Sequence, residues 1–149
     1  MENVKKINDE MTVAGQLTPE QLQQAAQEGF KSILNLRSPD EQGFMNDEQQ
    51  QAETAGLEYS NIPVKPDAIS DELTTEVLKQ IDELPKPALI HCASGMRAGA
   101  MAFMNLATRQ GLTPEQVFER AAEAGFDCNA NLQLKQFLEQ YIEAHSTKK

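Results

Sequence analysis

Apolar residues along this chain keep two rhythms. Short continuous runs such as Met11-Thr12-Val13-Ala14, Ile33-Leu34 and Ala88-Leu89-Ile90 alternate with longer stretches whose apolar residues stand three or four apart. The runs predict buried strands and the spaced stretches amphipathic helices. Residues 3–14 predict one or two short strands, with Val4 and Ile7 before an Asn8-Asp9 turn and Met11 to Ala14 after it. Thr18-Pro19-Glu20-Gln21 starts a helix: Thr18 caps, Pro19 takes the first position, and Gln21 closes a capping box. That helix should bury Leu22, Ala25 and Ala26 and end at Gly29. A strand from Phe30 to Leu36 follows, then a polar loop from Arg37 to Phe44. The next helix, from about Asp47 to Ala55, is glutamine-rich and acidic, and its composition predicts a solvated outer face.

Leu57 to Ile62 reads as a strand and Pro63 to Ile69 as a proline-broken loop. Ser70 caps a helix that carries Leu73, Val77, Ile81 and Leu84 on one face. Asp71 serves the first turn of that helix, where its charge suits the dipole. Pro85 and Pro87 stop it and lead into a strand from Ala88 to Cys92. The helix beginning near Arg97 is apolar nearly all round as far as Ala107, which predicts burial on most sides; Met101 and Met104 read as core filler. Thr113-Pro114-Glu115-Gln116 uses the earlier capping chemistry again, without matching flanks that would make a repeat. A short helix with Val117, Phe118 and Ala121 ends at Gly125. A last helix, from about Asn131 to Ala144, should bury Leu134, Phe137, Leu138, Tyr141 and Ile142. His145 falls in the tail without a role, and Ser146 to Lys149 fray. Strands alternating with helices predict an α/β fold. Its central sheet is mostly parallel, with helices on both faces, in a single domain over residues 1–149.

The chemistry concentrates where the strand Ala88 to Cys92 ends. Ligands of open α/β sheets bind just beyond such strand ends. Ala93, Ser94, Gly95 and Met96 form a tight, small-residue loop whose N–H groups can turn inward as an anion nest. The following helix aims its positive end at the same spot, and Arg97 adds a planar guanidinium suited to an oxyanion. Such a field favours a thiolate at Cys92. His91 precedes the cysteine, so it points to the opposite strand face and is expected to support the loop. Asp67, in the loop after the Leu57 to Ile62 strand, projects at the same sheet edge and is the candidate general acid. Arg37 and Asp40 follow another strand there and are expected to line the rim. Cys128 reads either as a structural cysteine or as a resolving thiol for Cys92.

Composition narrows the classes. The 149 residues carry 13 basic and 23 acidic side chains, a net charge of −10, which argues against nucleic acid or an anionic membrane surface as partner. No apolar run reaches the roughly 18 residues of a membrane span, and the charged first ten residues lack a signal-peptide core, so a cytoplasmic location is expected. Two cysteines and two histidines without paired spacing predict no metal site, and no glycine loop for a nucleotide is present, so no cofactor is expected. Nothing in the sequence marks an oligomer interface.

His91-Cys92-Ala93-Ser94-Gly95-Met96-Arg97 resembles the active loop of the cysteine-dependent protein tyrosine and dual-specificity phosphatases. Residues 3–140 more closely resemble the small bacterial phosphatase-like domain found fused to metallo-β-lactamase-like hydrolases. That likeness is carried by Gly15-Gln16, Asn35-Leu36-Arg37, Ile62-Pro63-Val64 and the His91 to Arg97 loop. The resemblance implies a protein tyrosine phosphatase-like fold and a hydrolase of phosphate monoesters. Cys92 would be the nucleophile, Arg97 the anion-binding cation and Asp67 the acid, with a phosphorylated substrate or small oxyanion as ligand. Members of the bacterial group are described both as phosphatase-like and as sulfurtransferases. Four residues separate Cys92 from Arg97 where the phosphatases have five, and Ala98 stands where they usually place a serine or threonine. A loop of this length resembles that of the rhodanese sulfurtransferases, so a persulfide carrier on Cys92 is the second expectation. A regulatory anion-binding module without turnover is the third.

Overall fold

In a computed structural model, residues 4–65, 68–127 and 131–145 are described. The first two strands, β1 (Lys5–Lys6) and β2 (Met11–Ala14), form an antiparallel pair. The Asn8 side chain makes the turn between them by accepting the Glu10 and Met11 amides, each at 2.8 Å. Helix α1 (Pro19–Gln27) opens with the expected capping box on Thr18 and Gln21. Then come β3 (Ser32–Asn35), α2 (Glu48–Thr54), β4 (Glu58–Asn61), α3 (Asp71–Glu83) and β5 (Ala88–His91). Three helices close the chain: α4 (Met96–Gln110), α5 (Pro114–Ala124) and α6 (Leu132–His145). His145 thus ends α6 instead of lying in the tail, and its ring pairs with Asp71 at 2.8 Å in the first turn of α3.

The strands form one sheet in the order β1-β2-β5-β3-β4, parallel except at β1. This is the mixed α/β architecture that the alternation of runs and spaced stretches predicts. β5 lies in the middle, with β2 on one side and β3 on the other. Alternate residues of the central strands enter two separate cores. Met11, Val13, Leu34 and Ile90 pack with α3, α4, α5 and α6 on one face. Ala14, Ile33 and Leu89 pack with α1 and α2 on the other. Every residue of α4 from Arg97 to Thr108 is buried, as its all-round apolar character predicts. Gly99 permits the closest approach: a Cβ there would stand 2.1 Å from the Phe126 ring. Among the described residues no helix is long and apolar enough to cross a membrane.

Three burial expectations change. Ala26 is only half-buried. So is Phe137, whose outer side faces a cleft beside the start of α4. The largest change is at α2: its exposed residues are polar as expected, but Glu48 is completely buried together with Ala52, four residues on.

Candidate active site

The site grows from the carboxyl end of β5. Its four residues are fully enclosed, and the chain leaves the sheet at Cys92, itself completely buried. The Cys92 amide is tied to the Ala14 carbonyl at 3.2 Å, and the Ala93 carbonyl accepts the Gln16 amide at 3.1 Å. The loop is thereby fastened to the β2–α1 connection on both sides of the cysteine. Gly95 then turns with φ of +97°, the left-handed region that glycine occupies without strain, and caps α4. That turn brings the Gly95 amide to donate to the Cys92 sulfur at 3.1 Å. Ala93 and Ser94 are exposed, Gly95 is buried and Met96 half-buried; the Met96 amide donates to Ser94 Oγ at 3.4 Å.

Arg97 starts the buried part of α4 and is itself 8% exposed. Its guanidinium donates to both carboxylate oxygens of Glu41, at 2.7 and 3.0 Å, and to the Val64 carbonyl at 2.8 Å. The Glu41 hydrogen bonds, and after them the neighbouring Cys92 sulfur, hold the Arg97 guanidinium above its ordinary pKa. Reciprocally, Glu41 is lowered from 4.5 to about 2, chiefly by its hydrogen bonds from Arg97. Glu41 is not among the residues the sequence pattern points to; it lies 56 residues from Arg97 in the β3–α2 connection.

Arg37 lies beneath this carboxylate and not on the rim, being 5% exposed. It donates to Glu41 at 3.0 Å, to Gln16 Oε1 at 2.6 Å and to the Gln42 carbonyl at 2.5 Å. Asp40 is exposed, as expected of a rim residue, and pairs with Ser38 and with Lys65 at 3.1 Å. Those two contacts, Ser38 first, draw the Asp40 carboxyl below its ordinary value.

His91 points to the opposite face, as the strand alternation requires. Its Nδ1 lies 3.4 Å from the Cys92 carbonyl, and its Nε2 lies 2.5 Å from the Glu48 carboxylate, with neither side chain exposed. The other Glu48 oxygen accepts from Gln16 Nε2 at 3.0 Å. A continuous polar chain therefore runs from His91 through Glu48, Gln16, Arg37 and Glu41 to Arg97. Glu48 is the second residue missed from sequence. The available signal was His91 itself: a histidine directed into a core needs a buried partner. Tyr59 stands nearby, its hydroxyl accepting from Asn35 at 2.9 Å. Burial, reinforced by the Glu48 charge, pushes that phenol well above its usual range.

A cleft of about 500 Å³ opens outside the loop, with Ser94, Met96 and Arg97 on one side and the first turns of α6 on the other. Asp67 and Cys128, the candidate acid and the candidate resolving thiol, lie outside the described residues. No group of three or more histidine, cysteine or acidic side chains arranged to hold a metal occurs among the described residues.

A cysteine at the carboxyl end of a central parallel strand, then a tight loop and a helix-borne arginine, together with this sheet, is the arrangement of a phosphatase-like domain. Residues 3–112 match the phosphatase-like domain of the beta-lactamase hydrolase-like proteins, and the chain belongs to that family. The beta-lactamase hydrolase-like protein of Agrobacterium fabrum is 28% identical over 125 residues, which are 82% of this chain and 29% of that protein. The chain thus spans less than a third of that relative's length. Among solved structures, the core catalytic domain of the S. cerevisiae PP-IP phosphatase SIW14 in complex with citrate superposes with a TM-score of 0.75. It has 21% identity, over 96% of this chain and 90% of that one. A cysteine-to-serine variant of P. aeruginosa TpbA in complex with phosphotyrosine superposes with a TM-score of 0.74 at 15% identity, over 98% and 91%. At these identities the likeness is one of fold.

Proposed function

We propose that this domain is a cysteine-dependent phosphatase acting on phosphate monoesters. One observation carries the reading: the Cys92 sulfur accepts the Gly95 amide at 3.1 Å with the Arg97 guanidinium beside it, where α4 begins. The thiolate attacks phosphorus, forming an S–P bond as the ester P–O bond breaks. Arg97 and the amides of the 93–96 loop stabilise the equatorial oxygens. Asp67 gives its proton to the leaving oxygen. Water then breaks the S–P bond, releases phosphate and returns the thiolate. His91 supports the loop from behind. The citrate and phosphotyrosine held by the two solved relatives support an oxyanion or phosphorylated ligand for this fold.

A second reading, sulfane-sulfur transfer, is favoured by the four-residue spacing from Cys92 to Arg97. A ring one residue shorter suits a single persulfide sulfur. In that reaction the Cys92 thiolate takes the outer sulfur of thiosulfate, sulfite leaves, and the sulfur passes to cyanide as thiocyanate. Asp67 has no part in it.

One paired assay separates the readings. Wild type, Cys92→Ser and Asp67→Asn are given an aryl phosphate, and separately thiosulfate with cyanide. The phosphatase reading expects phosphate release that Cys92→Ser abolishes and Asp67→Asn slows most for poor leaving groups. It fails if wild type releases no more phosphate than Cys92→Ser. Thiocyanate formation indifferent to Asp67→Asn would establish the second reading. Activity in neither assay would leave an anion-binding module.

A further inference from the structure

Gln16, in the β2–α1 connection, touches the active loop with its backbone and the clamp on Arg97 with its side chain. Its backbone amide donates to the Ala93 carbonyl at 3.1 Å. Its side-chain oxygen accepts from Arg37 Nη1 at 2.6 Å. The side-chain nitrogen donates to Glu48 Oε1 at 3.0 Å and to the Leu17 carbonyl at 2.9 Å. The gap it fills lies between a guanidinium, which can only donate, and a carboxylate, which can only accept. An amide bridges the two in one orientation alone. Turned over, it would set donor against donor and oxygen against oxygen.

Through Arg37 this bridge reaches the front of the site. Two guanidiniums share one carboxylate: Glu41 Oε1 accepts from Arg37 Nε and from Arg97 Nη2, each at 3.0 Å. Gln16 and the Gln42 carbonyl occupy the terminal nitrogens of Arg37. The other Glu41 oxygen is thereby left to Arg97 Nη1, at 2.7 Å. Nη1 also meets the Val64 carbonyl. Among the described residues, the edge of Arg97 that no protein oxygen occupies is therefore Nε with the outer hydrogen of Nη2. We infer that Gln16 is a positioning residue for Arg97: its side-chain oxygen keeps Arg37 from drawing Glu41 away, and so fixes the edge of the guanidinium that meets an anion. The inference rests on the proposed function only in taking Arg97 as the anion-binding cation. Without that acceptor, Arg37 Nη1 turns to the second Glu41 oxygen, and the open edge of Arg97 loses its fixed direction.

The test reads Arg97 directly. Rotation of its guanidinium, followed by NMR of the side-chain nitrogens and assigned through Arg97→Lys, is expected to be slow in the wild type. It should be much faster in Gln16→Met, which keeps the side-chain length and removes the acceptor. Gln16→Asn, a polar change at a half-buried position that spares the fold, draws the amide back by one methylene and should release Arg97 in the same way. Gln16→Glu keeps an oxygen for Arg37 and should leave the rotation slow, although it sets a second carboxylate beside Glu48. For an aryl phosphate, Gln16→Met should lower kcat/KM about 10–100-fold, and Gln16→Glu should lose far less. Rotation as slow in Gln16→Met and Gln16→Asn as in the wild type overturns the inference. So does equal loss in Gln16→Glu, which would make the Glu48 contact or packing the role of this side chain. Release of Arg97 in Gln16→Met, joined to no phosphate release by the wild type, supports the positioning role and overturns the hydrolase reading alone.

Discussion

The carboxylate of Glu48 meets Nε2 of His91 at 2.5 Å on the face of the sheet opposite Cys92, and both side chains are fully enclosed. Glu48 comes from a short helix whose neighbouring residues are almost all solvated polar groups. Gln16 occupies its second oxygen. The pair is therefore the rear anchor of the loop that carries the cysteine.

Truncating one partner of such a pair leaves the other polar group buried without its mate. Glu48→Ala is expected to lose about 3–5 kcal/mol of stability, read from urea unfolding. Glu48→Gln keeps an acceptor for Gln16 and should lose less. An unfolding midpoint in Glu48→Ala equal to that of wild type would show that His91 finds another partner.

Glu41 links pH to the front of the site. Its folded pKa of about 2 lies below its ordinary 4.5, so its ionised form is favoured by folding. Its stabilising contribution is fully present above the ordinary value and is lost as pH falls through the folded one. The melting-temperature gap between wild type and Glu41→Gln should therefore be constant above about pH 5 and close between pH 4.5 and about 2. A gap that persisted unchanged at pH 2 would mean that the carboxylate charge is not what holds Arg97.

Arg97 presents two nitrogens to Glu41 and one of them also to Val64, a geometry an ammonium cannot copy. Arg97→Lys should lower kcat/KM for an aryl phosphate by about 10²–10³-fold, with the circular dichroism spectrum of the wild type. Turnover retained within a few-fold would remove Arg97 from the anion site.

The contact between Gly99 and Phe126 predicts a coupled pair. A methyl group at 99 would overlap the ring at 2.1 Å, so Gly99→Ala should cost about 1–3 kcal/mol by overpacking. Adding Phe126→Leu should recover part of that loss, making the double variant less unstable than the sum of the singles. Additive losses would show that the ring is free to step aside.

Much of this arrangement is written locally in the chain. Both Thr-Pro-Glu-Gln starts form the capping boxes their spacing prescribes, because every partner lies within four residues. The strand ending at Cys92, the Gly95 turn and the enclosed α4 are likewise carried by one continuous stretch. Glu41 and Glu48 were not legible in the same way. Arg97 lies 56 residues from Glu41 and His91 lies 43 from Glu48, and neither carboxylate differs in local pattern from its acidic neighbours. Phe137 misled for the opposite reason. Helical spacing placed it in the apolar stripe, but the stripe is wider than the surface that α4 covers, and its edge faces the cleft.

The middle position of β5 has a temporal consequence. Its edges are paired on both sides, to β2 and β3, while among the described residues β1 and β4 each have a strand on one side alone. Local opening starts at such margins and reaches the interior of a sheet last. In deuterated solvent the amides of Leu89 and Ile90 should exchange among the slowest in the molecule, and those of β1 and β4 far sooner. Slow exchange there would make the sulfur of Cys92 hang from the most persistent part of the sheet, its place kept while the margins open and close.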